Sequence, residues 1–300
     1  MKSFDPKTIA TADFHQFMLA SVAPRPIAFV STLDDEGVPN LAPYSFFNAF
    51  SSNPPILVFS SNRRVENNTT KDTLKNAIDT RELVVNVVNY DIVRQMALTS
   101  VEFPSNIDEF EKAGFNKLPS TLIKPFRVKE SPVQMECKVT DIITLGDKGG
   151  AGHLIICEVV WMHIAEHIID ERGRIDPNKI DLVGRMGRFW YTRASQSSIF
   201  ELVQSVKLPV VGFDNLPKSA THSKILSGNN IAQIANLKQL PTSEEIESVA
   251  TENNEVSHII KHSKQVCDDL QLLAKQLLDD ANSPESVELA AKIIHLADRF

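Results

Sequence analysis

This chain is short of cysteine, of basic charge and of long apolar runs, and its last stretch has almost no aromatic residues. Three cysteines in 300 residues, Cys137, Cys157 and Cys267, stand far apart and are odd in number. That excludes a disulfide framework and a zinc-type ligand spacing, and it predicts buried free thiols in a reducing compartment. No apolar run reaches the roughly 18 residues of a membrane span. Met1-Lys2-Ser3-Phe4-Asp5-Pro6 holds no apolar core of signal-peptide length, so a cytoplasmic chain with no membrane partner is expected. Lys and Arg number 31 against 38 Asp and Glu, a net charge of −7. With a pI near 5.7 there is no global basic field to hold nucleic acid or an anionic membrane.

The 42% apolar and 23% charged content is that of a globular protein, and 300 residues suffice for a large domain with an appendage. The composition changes after Pro209. Of the 21 aromatic residues, 19 precede residue 211, and only Phe213 and Phe300 follow. Residues 211–300 also carry 13 acidic and 8 basic side chains, most of the net negative charge. We therefore expect a first domain over 1–210 and a helical extension over 211–300. In the first, β-branched runs at Ile27–Thr32, Ile56–Ser60, Leu83–Val88, Met135–Leu145 and Leu154–His163 read as strands with long irregular connections. That pattern predicts a mainly β domain with some helix, an antiparallel barrel rather than a repeated βαβ sheet. In the second, Val256, Ile259, Ile260, Val266, Leu270, Leu273 and Leu277 recur at helical spacing. Thr242-Ser243-Glu244-Glu245 fits a capping box, and Ser283-Pro284 an N-cap followed by proline in the first turn. No catalytic constellation is visible in that extension.

The most informative segment is Ala23-Pro24-Arg25-Pro26 leading into a strand, then the Asp34-Asp35-Glu36-Gly37 turn, then Asn40-Leu41-Ala42-Pro43-Tyr44-Ser45-Phe46-Phe47-Asn48. Small residues permit close backbone approach, the aromatics offer flat packing, and Ser45 and Asn48 offer hydrogen bonds. Read alone, this fits an aromatic-rich core strand as well as a slot for a flat ring. Further on, Lys71-Asp72-Thr73-Leu74 reads as a helix start capped by Thr70 or Asp72, with Leu74 and Ile78 on the buried face. A helix N-terminus with a cation and a hydroxyl suits a phosphate group.

In order and spacing, these motifs resemble the flavin reductase-like family, the FMN-binding split barrels that include flavoredoxins, over roughly residues 8–200. The resemblance implies an FMN-binding split β-barrel followed by the helical extension, and bound FMN with NADH or NADPH as reductant. It implies ring contacts from Ala42, Pro43, Tyr44, Ser45, Phe46, Phe47 and Asn48. Phosphate contacts are implied from Lys71, Thr73 and Asp72 and from Ser60, Ser61 and Arg63, although Asp72 also suits a cap and Arg63 with Arg64 a solvated pair. Thr32 and Asn40 fall beside the ribityl chain or the ring by resemblance, and turn chemistry accounts for Asn40 equally well.

Gly149-Gly150-Ala151-Gly152-His153 precedes a strand where relatives carry a Gly-Asp-His motif beside the nicotinamide; here the aspartate is missing. His153 is the candidate catalytic residue on that basis. No βαβ unit follows these glycines, so they are not a dinucleotide fingerprint. Arg185, in Asp181–Tyr191, corresponds to the family's closing segment, where it would meet a flavin or nicotinamide phosphate and Tyr191 would cover the ring. His163 and His167 have helical metal-ligand spacing within a strand-like stretch and lack a third ligand, so no metal is expected. The expected function is a flavin-dependent oxidoreductase, a NAD(P)H:flavin reductase or a flavoredoxin-like electron carrier passing electrons to a small-molecule acceptor. It is expected to work as a homodimer. The alternative is a non-enzymatic flavin-binding regulatory or interaction module.

Overall fold

The computed structural model describes residues 1–202, 210–280 and 283–300. The chain forms two compact units, Met1–Phe200 and Glu201–Phe300. Pro209, where the composition changes, lies outside the described residues.

The first unit begins with helix α1 (Thr11–Ser21) and strands β1 (Ala28–Leu33), β2 (Pro39–Tyr44), β3 (Phe47–Ser52) and β4 (Pro55–Ser60). Helix α2 (Asp72–Asp79), strand β5 (Glu82–Val87) and short helices α3 (Val93–Leu98) and α4 (Glu109–Ala113) follow. A small pair, β6 (Lys117–Leu118) and β7 (Arg127–Val128), precedes the long hairpin β8 (Val133–Thr144) and β9 (His153–Ile164). Helix α5 (Pro177–Ile180) and the hairpin β10 (Leu182–Gly187) and β11 (Trp190–Ala194) close the unit.

Seven strands form an antiparallel sheet in the order β2-β1-β5-β8-β9-β4-β3. Its two edges, β2 and β3, are consecutive in the chain and separated only by Ser45 and Phe46. Such a short link forces the sheet to curl until its edges meet, which gives a barrel with a seam. The expected split barrel is therefore the observed architecture. The alternation of side chains explains why Ile27–Val30 is apolar throughout: Ala28 and Val30 enter the barrel core with Phe59, Leu83 and Ile155. Ile27 and Phe29 point to the other face, under Met96 and Phe110 from α3 and α4. Both faces are covered, so no polar alternation is required.

Cys137 and Cys157 are buried free thiols on neighbouring strands of that core, while Cys267 is half-buried. The glycines of the β8–β9 connection have a packing cause. A Cβ on Gly149 would lie 2.7 Å from the Val65 carbonyl oxygen. This close approach is secured by Arg63 N–H donating to the Ala151 carbonyl and Gly150 N–H to the Arg63 carbonyl.

Glu136 on β8 is fully buried and accepts hydrogen bonds from Thr121 N (2.7 Å), Leu122 N (2.7 Å) and His163 Nε2 (2.8 Å). His163 is thus a partner of a buried carboxylate. Burial pushes the Glu136 carboxyl up, but His163 and the two N–H groups outweigh it and hold it below its usual value of 4.5. A depressed folded-state pKa contributes stability above the unfolded value, and that stability is lost as pH falls through the folded value. Acid unfolding as pH falls below about 5 should therefore be shallower in Glu136→Gln than in the parent. Parallel curves for the two proteins would show that this carboxylate has no part in the acid transition.

In the second unit, helices α6 (Lys218–Thr221), α7 (Gly228–Ala235), α8 (Ser243–Glu252), α9 (Asn254–His262), α10 (Val266–Asp279) and α11 (Pro284–Ala297) follow in order. Leu270, Ala274, Ile293 and Ile294 are among the side chains at the centre of their own core. The Thr242 capping box and the Ser283 cap with Pro284 in the first turn are both present. The single apolar stripe read from Val256 to Leu277 is instead two helices, broken at Ser263–Gln265. There the Ser263 hydroxyl bonds Asp269 and the Gln265 N–H. No helix among the described residues is long and apolar enough to cross a membrane.

Candidate functional site

β2 and the start of α2 border a cavity of 280 Å³. Asn40, Ala42, Pro43, Tyr44, Lys71, Asp72 and Thr73 line it, which brings together two motifs separated by 26 residues of chain. Arg64, Glu109 and residues 99–103 complete the wall. These last two had no signature in the sequence, because the 99–103 loop is placed by α3 and Glu109 by α4. Glu109 Oε2 accepts the Leu41 N–H at 3.0 Å, which fixes β2 against α4. Burial pushes the Glu109 carboxyl above its ordinary value, against the pull of that N–H.

The helix start differs in detail from expectation. Lys71 occupies the N-cap position, and neither Thr70 nor Asp72 caps the end, because no side chain bonds the first N–H groups. Leu74 is buried, but Ile78 is 47% exposed. The helix presents Thr73, Leu74, Asn76 and Ala77 to the barrel instead. An uncapped N-terminus leaves unpaired N–H donors and the positive end of the helix dipole facing the cavity.

A buried amide network sets the orientation of Thr73. Asn40 Nδ2 donates to Thr73 Oγ1 at 2.8 Å and to Thr32 Oγ1 at 3.1 Å, and Asn76 Nδ2 donates to Thr32 at 3.0 Å. Thr73 Oγ1 is thereby an acceptor within the protein, and its own proton is free to donate elsewhere. Thr32 lies beneath the cavity wall and acts through Asn40.

Lys71 Nζ sits 5.1 Å from the centre of the Tyr44 ring and makes no hydrogen bond or ion pair among the described residues. Burial, and then the nearby Arg64, hold this ammonium below its ordinary pKa. Tyr44 is 4% exposed, and burial pushes its hydroxyl up to about 12. That hydroxyl lies beside Thr73 and Ser61, yet neither Tyr44 Oη nor Ser61 Oγ has a well-formed hydrogen bond among the described residues. Buried hydroxyls left unpaired are costly, and a polar ligand or water in the cavity would satisfy them.

The other expected residues lie outside the cavity lining. Ser45 Oγ accepts from Arg25 Nε at 3.4 Å, and the Arg25 guanidinium lies 5.9 Å from the Phe46 ring. Arg25 also donates to the Leu19 and Val22 carbonyls at the end of α1. Phe47 packs on the barrel core, and Asn48 is exposed at the start of β3. Ser60 donates to Asn62, and Arg63 holds Asn68 through its side-chain and backbone oxygens. Arg185 stacks 4.7 Å over Tyr191, and its backbone pairs with Arg25, so it belongs to the Arg25–Phe46 cluster. His153 is 6% exposed, with Nδ1 3.1 Å from the Ser61 carbonyl, and thus bears on the strand that carries Ser61.

Residues 20–179 match the flavin reductase like domain. Nitrilotriacetate monooxygenase component B from Bacillus cereus is 34% identical, with 67% of this chain and 98% of that one superposed at a TM-score of 0.63. The 2-nitrobenzoate 2-nitroreductase NbaA from Pseudomonas fluorescens is 33% identical over 70% of this chain and 100% of that one, at 0.61. A Shewanella frigidimarina protein with a split barrel domain shares the fold, with 22% identity, a TM-score of 0.57 and coverage of 68% and 100%. The match over residues 20–179, the seamed seven-stranded barrel and the β2–α2 cavity place this chain in the flavin reductase like family.

Proposed function

We propose that the β2–α2 cavity binds the phosphate end of FMN, and that the protein is an FMN-dependent oxidoreductase reduced by NADH or NADPH. Family membership makes it a flavin-linked oxidoreductase; FMN and the nicotinamide are our own reading. The observation that carries this reading is the Lys71 ammonium, held over Tyr44 at an uncapped helix N-terminus with no counter-ion in contact among the described residues. The unpaired Tyr44 and Ser61 hydroxyls support it, since phosphate or ribityl oxygens would satisfy them. The residues present fit the group.

When bound, the flavin ring supplies the hydride and electron chemistry. The protein's part is to bind and orient it. Lys71 supplies charge, Thr73 a donor proton fixed by Asn40, and the first N–H groups of α2 further donors. Tyr44, kept protonated by burial, is a donor rather than a charge at neutral pH. Ala42 and Pro43 give the ring edge a small-residue wall. Titration of the protein with FMN, followed anaerobically by NADPH, tests this reading. Heat of binding near one equivalent and bleaching of the flavin band are expected; no heat with FMN would overturn it.

We also propose a homodimer. Helix α1 has no buried residue although it carries Phe17 and Met18, and Phe50 on the edge strand β3 is 68% exposed. A second copy would cover such surface. Light scattering at micromolar concentration should give twice the chain mass of 33.4 kDa. A monomer that retains FMN would rule this out.

A further inference from the structure

Three carboxylates line the cavity beside its two cations, and they are held very differently. Glu109 is buried and tied to the Leu41 N–H. Asp72 accepts the Ser105 hydroxyl at 2.8 Å. Among the described residues Glu102 has one partner, Arg64, whose Nε lies 2.5 Å from its Oε1. The Glu102 side chain is 59% exposed and that of Arg64 22%. Arg64 is anchored on its far side, where Nη1 donates to the Thr70 carbonyl at 2.5 Å and to Thr69 Oγ1 at 3.1 Å. One half of the ion pair is therefore fixed in the wall, and the other half is a loop carboxylate free to swing into water. Among the described residues, Glu102 is also the carboxylate whose charge acts on Lys71.

We propose that Glu102 is a tethered competitor at this cavity: its carboxylate occupies the Arg64 edge that an anionic ligand group would take, and yields it when a phosphate-bearing ligand enters. The proposal rests on reading the cavity as the flavin phosphate site. A phosphate offers Arg64 and Lys71 more oxygens and more charge than one carboxylate, so it wins the exchange. The displaced Glu102 loses only an exposed ion pair, which is worth little. The consequence is specific. Glu102 lowers affinity for a phosphate-bearing flavin and hastens its release, while a flavin without phosphate leaves the pair intact. Discrimination by a repulsive or competing group is as effective as discrimination by an added contact.

The test compares FMN with riboflavin in the parent protein, in Glu102→Gln and in Glu66→Gln, at low ionic strength. Glu66 is an exposed carboxylate in the same loop as Arg64 and outside the cavity lining, so it controls for net charge. Glu102→Gln should bind FMN about 2- to 5-fold more tightly, the range expected for loss of one exposed ion-pair competitor. Its FMN release should slow by a similar factor, and riboflavin binding should not change. An unchanged FMN affinity, an equal gain for riboflavin, or the same gain in Glu66→Gln would overturn the competitor role. If the parent binds riboflavin as tightly as FMN, the phosphate reading of the cavity fails, and the competitor role fails with it. An unchanged unfolding midpoint in Glu102→Gln confirms that the fold is not what moved.

Discussion

Lys71→Ala is expected to weaken FMN binding roughly 10- to 150-fold, about 1.5–3 kcal/mol, and to leave riboflavin nearly unaffected. The size follows from the position of the ammonium. It is partly withdrawn from water, it stacks on Tyr44, and among the described residues no carboxylate is in contact with it to share the charge. An anion arriving there gains a charge-assisted bond that water screens poorly. The substitution removes the charge while leaving Leu74 and Ala77 to hold the helix on the barrel. Calorimetry with each flavin separates the possibilities. Equal losses for FMN and riboflavin would move Lys71 from the phosphate to the ring or to the fold, and the site would have to be redrawn.

The largest loss of stability should come from Phe59→Ala, about 3–5 kcal/mol. Phe59 is wholly buried on β4, with its ring 5.1 Å from that of Tyr44 in the barrel core. Removing it takes away both the transfer energy of a large side chain and the packing of its neighbours. The surrounding strands are tied on both sides by sheet hydrogen bonds and cannot close the gap. Leu98→Ala, on the exposed face of α3, should shift stability by no more than about 0.5 kcal/mol. Urea unfolding followed by the emission of Trp161 and Trp190 reports the first unit alone, since both tryptophans lie within it. Comparable midpoints for the two variants would mean that the buried ring is not part of a tightly packed core. Because Tyr44 also lines the cavity, Phe59→Ala should loosen flavin binding as well, by an indirect route.

The strands that could be read in advance were those whose side chains enter a core. Ile56–Ser60, Leu83–Val88 and Leu154–His163 fall within a residue or two of β4, β5 and β9, because burial demands a β-branched or aromatic run. β3 carries no such demand. Phe47–Ser52 faces outward along most of its length, is bulged near Phe50 and is held by pairing with β4, so its identity as a strand comes from its neighbour. The Ile78 expectation failed for a related reason. Helical spacing identifies a possible face, but the barrel surface under α2 chose the face bearing Thr73 and Asn76.

Sequence alone determined the apolar runs that become barrel strands, the polar caps of α8 and α11 and the two motifs that meet at the cavity, since each is set by local geometry or by burial. The fold decided how polar groups were shared out. Thr32 and Asn40 were expected beside a ligand; Asn40 lines the cavity, and Thr32 lies behind it in a buried network that also holds Thr73. Arg63, expected as a phosphate contact or one of a solvated pair, lies outside the cavity lining and holds Asn68, whereas Arg64 lines the cavity and is anchored to Thr70. The glycines before His153 serve a close backbone approach. Glu102 and Glu109 carried no sequence signal, because a lone carboxylate gains meaning only from what stands across from it. Hydrogen bonds and ion pairs act over a few ångströms in space. Only the closed sheet brings residues so far apart in the chain within that distance.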